Sequence, residues 1–180
     1  MSEREKKCTH ILALDPSGNF HEGKGTTGWA MINVYTGKIA QFGEIDASVY
    51  YSTEEYWQAH LDLIEGYSKT CSVLEVVIED YFLYANKALS QTNSRMETPK
   101  VIGCIQLFCW QKGNPTTFQT ATSVKTRWTD VILVRKGFLE GVGTRRDIKH
   151  TIQGHIITNH TKDAVRHAAH YYTFNVMKRQ

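Results

Sequence analysis

The sequence predicts an α/β fold: a mixed five-stranded sheet, three antiparallel strands followed by α-linked parallel strands, flanked by helices. Two observations predict it. Three strand-like runs follow one another near the start, separated only by Gly-containing turns. Helical and strand-like segments then alternate, as they do when strands are joined by crossover helices.

His10–Leu14 (HILAL) is a short apolar run closed by Asp15-Pro16, and proline drives the residue before it toward extended geometry. The Gly-containing stretch SGNFHEGKG reads as a loop. Thr27–Tyr35 and Lys38–Ile45 are two more strands around Thr36-Gly37, completing an antiparallel meander. In Thr53–Tyr67, residues Tyr56, Trp57, His60, Leu61 and Ile64 recur at helical spacing, with Thr53 as a candidate cap. Val73–Ile78 is β-branched and apolar, as a strand buried on both faces should be, and it runs into Glu79 and Asp80. Thr98-Pro99 suits a helix start, and Val101–Gln111 turns Val101, Ile102, Ile105 and Phe108 inward. Thr116–Thr120 is a fifth strand after the turn Asn114-Pro115. Helices are expected at about Thr122–Val131, about Thr144–Thr158, and from about Thr161 to the end. No repeat or linker is visible, so residues 1–180 are expected to form a single domain.

Composition narrows the function. Hydrophobic content of 41% and charged content of 22% exclude a disordered chain. No apolar stretch reaches the ~18 residues of a membrane helix, and the charged start MSEREKK lacks a signal-peptide core. A cytoplasmic protein with no membrane association is expected. Cys8, Cys71, Cys104 and Cys109 form no CxxC pair, which suits free thiols in a reducing compartment. Charge is unevenly spread. Residues 87–149 hold 11 basic and 4 acidic side chains, whereas the remainder is net acidic. One face could therefore meet a polyanion while another gathers carboxylates.

Carboxylates fall where elements end. Asp15 closes the first strand and Glu79 the fourth, while His160 and Asp163 share one face of the final helix. Strands one and four can be neighbours in a mixed sheet, and a helix across them could bring Asp163 to both strand ends. Such a trio repels itself unless a cation neutralises it. Hard oxygen donors suit Mg²⁺ or Mn²⁺, and two such ions would support phosphodiester hydrolysis. Each feature alone also has a plainer reading, as a turn residue, a solvated loop or a helix cap.

Ile11-Leu12-Ala13-Leu14-Asp15-Pro16, then Thr27-Gly28-Trp29-Ala30, resembles the opening motif of RuvC-type Holliday junction resolvases, including bacteriophage-type members. Val77-Ile78-Glu79-Asp80-Tyr81-Phe82 is similar to that family's second motif, and His160-Thr161-Lys162-Asp163-Ala164 to its terminal H-x-x-D-A helix. Thr122-Ser123-Val124-Lys125 resembles the segment with a basic residue near the active site. The resemblance implies a ribonuclease-H-like fold. It also implies a homodimer that cuts branched DNA with Mg²⁺ or Mn²⁺, needs no small-molecule cofactor, and works in a bacterial cell or phage-infected host. Asp15, Glu79 and Asp163 would hold metal, with His160 assisting, and His167 stays open as an alternative. Lys125 would act at the scissile phosphate, and Phe82, or Tyr84, would stack on bases at the branch point.

Lys87, Arg95, Lys125, Arg127, Arg145 and Arg146 are the leading candidates for phosphate contacts. Tyr56, Trp57 and the helix after Pro99 are candidate dimer-interface elements. The loop from Asp15 to Thr27 is longer than the family's, and Ser17 stands where the family has Gly. Three other readings stay open: a ribonuclease H or YqgF-type nuclease on the same fold, a non-catalytic branched-DNA binder, and an ATP-binding fold of the actin kind.

Overall fold

The computed structural model describes residues 9–71, 74–82, 95–144 and 147–179. β1 (His10–Asp15), β2 (Thr26–Asn33) and β3 (Lys38–Asp46) form the expected antiparallel meander. α1 (Thr53–Thr70) leads to β4 (Leu74–Asp80), α2 (Glu97–Lys112) to β5 (Thr116–Thr120). The sheet order is β3-β2-β1-β4-β5, with β4 parallel to both β1 and β5. Strands one and four are therefore neighbours, in register from His10 opposite Leu74 to Leu14 opposite Ile78.

Side-chain alternation along these strands decides which residues meet which helices. Leu12, Leu14, Leu74, Val76 and Ile78 pack toward the cluster that includes Val101, Ile102 and Ile105 of α2 and Ile64 of α1. Ile11, Ala13, Ala30, Ile32 and Val77 belong to the opposite cluster, with Ala164, Val165 and Ala168 of the last helix. Small residues face each other there. Ala13 lies opposite Ala30 across β1 and β2, and both are fully buried with Ala164 and Ala168. A helix can settle close to a sheet surfaced with methyl groups, and α5 (Asn159–Tyr171) does so.

The chain after β5 departs from expectation. The single helix expected over Thr122–Val131 is two short helices, α3 (Ala121–Arg127) and α4 (Asp130–Arg135), with Thr129 capping the second through Ile132 N. The helix expected over Thr144–Thr158 is instead a second sheet of three antiparallel strands, β6 (Glu140–Thr144), β7 (Asp147–Ile152) and β8 (His155–Ile156). Gln153 and Gly154 both have positive φ, 51° and 79°, and so form the two-residue turn that matches strand twist. Ser52, not Thr53, caps α1, and α2 begins at Glu97 without a side-chain cap. No helix among the described residues is long and apolar enough to cross a membrane.

Candidate active site

Asp15 and Glu79 extend the alternation of their strands by one step. Both follow residues of the α5 face, Ala13 and Val77, so both carboxylates emerge toward α5 at one edge of the sheet. Asp80, one residue on, turns the other way and is exposed. Thr158 caps α5 through Thr161 N, and this fixes where its first turn begins. Gly28, opposite Asp15 in the β1–β2 register, lets the backbone of that turn pass directly over β2. Asp163 is thereby brought to the two strand-end carboxylates.

Lys125 of α3 joins them. Its Nζ lies 2.9 Å from Asp163 Oδ2 and 3.4 Å from Glu79 Oε2. His160 Nδ1 stands 3.7 Å from Asp15 Oδ2, at the half-exposed rim. His167, fully buried, donates from Nε2 to Glu79 Oε2 at 2.8 Å and sets Nδ1 3.0 Å from the Gln119 amide. The two histidines thus serve different carboxylates, His160 beside Asp15 and His167 on Glu79.

The electrostatics follow from crowding. Burial, then the negative charges of Glu79 and Asp163, push the Asp15 carboxyl up to about 8. Burial also pushes Glu79 upward, but the His167 hydrogen bond and the nearby cations outweigh it and hold Glu79 below the usual range. For Lys125, burial acts downward and is overcome by the Asp163 hydrogen bond and the surrounding carboxylates, which hold it above an ordinary lysine. The pocket carries more negative charge than Lys125 compensates, and Asp15 bears the excess.

Among the described residues, no group of three His, Cys, Asp or Glu side chains is set at metal-holding geometry; Lys125 sits between Glu79 and Asp163 instead. The donor set nonetheless fits a hard divalent cation. It offers carboxylate oxygens on three elements, and the carboxyl driven up to about 8 is the one that a cation would relieve most.

The residues expected to contact DNA divide. Phe82 follows β4 and is 62% exposed. It borders a cleft of about 200 Å³ with Pro16, Glu79, Tyr81, Thr98 and Ala121. Arg95 is exposed beside α2, and Arg127 closes α3. Tyr84, Lys87, Arg145 and Arg146 lie outside the described residues. Of the suggested interface elements, Tyr56 is fully buried and offers no surface, whereas Trp57 is partly buried against the core and partly exposed.

Sequence reasoning missed three supports of the site. Arg166 donates from Nε to Trp128 O at 2.9 Å and pairs with both Asp163 and Asp130, bracing Asp163 from the side opposite Lys125. Its signal was its position three residues after Asp163, on the same helical face. Gln119 was readable as the residue level with Glu79 on the neighbouring strand. The third is a buried network under the Asp15 loop. Tyr56 Oη donates to Ser17 O at 2.6 Å, Ser17 N donates to Thr27 Oγ1 at 3.0 Å, and Thr27 Oγ1 donates to His60 Nε2 at 2.8 Å. It pins the turn that follows Asp15. His60 had looked only like a core position of an amphipathic helix, and Tyr56 like a core or interface position.

Strand order, strand directions and flanking helices define the ribonuclease-H-like class of α/β fold. Within it, the chain is similar to RuvC of Thermus thermophilus. Against that protein in complex with a Holliday junction substrate the TM-score is 0.62, at 12% identity over 91% of this chain and 93% of that one. A second structure of Thermus thermophilus RuvC gives 0.56, with the same identity and coverage. The likeness is one of fold. No protein-family model matches the chain, and no curated protein does.

Proposed function

We propose that this chain is a metal-dependent, structure-selective endodeoxyribonuclease that cuts Holliday junctions and other branched DNA. The observation that carries the reading is the meeting of Asp15, Glu79 and Asp163, from three distant parts of the sequence, at one edge of a RuvC-like sheet. Asp15, Glu79 and Asp163 would hold Mg²⁺ or Mn²⁺, two ions per site, with His160 assisting at the rim. Those ions would supply an activated water and stabilise the leaving oxygen of the phosphodiester.

The chain's own groups do the rest. Lys125 offers a cation where negative charge accumulates on the phosphate. His167 fixes the direction of Glu79, and Arg166 that of Asp163. Phe82, exposed beside the cleft, is set to stack on a base at the branch point. A homodimer would present two such sites to opposite strands of a junction. Work on recombination or replication intermediates in a bacterial cytoplasm, or in a phage-infected host, follows from this reading.

The test is cleavage of synthetic four-way junctions, flaps, linear duplex and RNA–DNA hybrid with Mg²⁺ and Mn²⁺. Cutting of the junction with paired nicks is expected. Preference for the hybrid would replace this reading with a ribonuclease H activity on the same fold.

A further inference from the structure

Beyond the carboxylates, Phe174, in the continuation of the last helix, gathers two cations whose arrangement has a use. Asp163, His167, His170, Phe174 and Lys178 recur every three or four residues, so they form one stripe along α5 and its continuation, Tyr172–Val176 and Met177–Arg179. Phe174 anchors the far end. Arg127 Cζ lies 4.7 Å from its ring centroid, and Lys178 Nζ also lies 4.7 Å from it. The His170 ring sits 4.8 Å away, held in turn by a hydrogen bond of 3.3 Å from Trp128 Nε1.

Both cations are exposed, and among the described residues neither has a carboxylate within ion-pair distance. Lys112, Lys162 and Arg166, by contrast, are paired with Glu65, Asp130 and Asp163. An aromatic face orders a cation without cancelling its charge. The result is two oriented positive charges that remain available to an anion.

We propose that Arg127 and Lys178, ordered on Phe174, bind the phosphate backbone of a duplex arm that runs from the cutting site to this patch. This rests on the nuclease reading and extends it to a footprint. Asp163 and Lys178 are 15 residues apart, which along a helix is roughly 22 Å, or about six base pairs of duplex. Arg127 lies two residues after Lys125 on α3, so one short helix ties the patch to the cutting site. The contacts reach phosphates, so they add affinity and register without sequence preference.

The experiment is equilibrium binding of four-way junctions in EDTA, where nothing is cut, across a range of salt concentrations. Arg127→Ala/Lys178→Ala should lower the slope of log affinity against log salt by about 1.8, and it should weaken binding equally on junctions of different sequence. Phe174→Leu should give a smaller loss. Arg127→Lys with Lys178 intact should keep the slope. On junctions whose arms are closed by hairpins at about four base pairs, variant and parent should bind alike, because the arm ends before the patch. Thermal melting checks that each variant is folded. A folded double variant with the parental slope on long arms would overturn the proposal and leave the patch to some other partner. A parent that binds no branched DNA at all would instead remove the nuclease reading on which this rests.

Discussion

Gly28→Ala tests how tightly the site depends on the seat of α5. Gly28 lies on β2 opposite Asp15, and the first turn of α5 passes over it. A Cβ built there would stand 2.5 Å from Thr161 N and closer still to the His160 carbonyl, where ordinary contact begins at about 3.4 Å. Sheet backbone lies on one side and helix backbone on the other, so no flexible side chain can yield. The start of α5 must therefore rise by about 1 Å, taking His160 and Asp163 away from Asp15 and Glu79. Overpacking of this kind costs ~1–3 kcal/mol, and a displacement of about 1 Å at a reacting group costs on the order of 100-fold in rate. Urea unfolding and single-turnover junction cleavage read the two effects separately. Gly103→Ala is the matched control, since nothing lies within 4 Å of its Cβ position and alanine favours a helix by ~0.5–1 kcal/mol. A Gly28→Ala chain as stable and as fast as its parent would refute the idea that this close approach positions Asp163.

Three further outcomes are expected. Lys125→Met should lower junction cleavage by roughly 10²–10³-fold while leaving junction binding in EDTA within a few-fold of the parent, because its charge matters most as negative charge builds on the phosphate. His167→Leu should cost ~1–3 kcal/mol in urea unfolding, since it leaves the Glu79 carboxylate and the Gln119 amide without their shared partner on a buried face. Acid should weaken the fold through His60. Burial lowers its pKa from 6.5 to about 4, so the unfolded chain takes up a proton that the folded chain refuses. The associated stability is complete above pH 6.5 and is lost as pH falls toward 4, a change of ~3 kcal/mol. Urea unfolding at pH 7, 5.5 and 4.5 measures it, and His60→Gln should flatten that slope.

Much of the sheet was legible because alternation carries physical information. His10–Leu14, Thr27–Tyr35 and Val73–Ile78 are patterned by the two faces they serve. The second sheet was not legible in the same way. In Asp147–Ile152 the two isoleucines, Ile148 and Ile152, are four residues apart, a spacing that one face of a helix also gives, and the hairpin turn, Gln153-Gly154, is not a strong signal on the strand side. The carboxylates could be found because each closes a strand or opens a helix. Their supports could not, because Arg166–Asp130 and His60–Thr27–Ser17 join residues that only packing brings together. The choice between His160 and His167 was undecidable from spacing, since both share a helical face with Asp163. In the fold one meets Asp15 and the other Glu79.

The most direct measurement compares the parent chain with Asp15→Asn on a synthetic four-way junction, scoring binding in EDTA and cutting in Mg²⁺. Asp15→Asn should bind as the parent does and leave both strands intact, while the parent nicks them in pairs. Cutting by Asp15→Asn at the parental rate, or a parent that leaves the junction whole in both Mg²⁺ and Mn²⁺, would contradict the account.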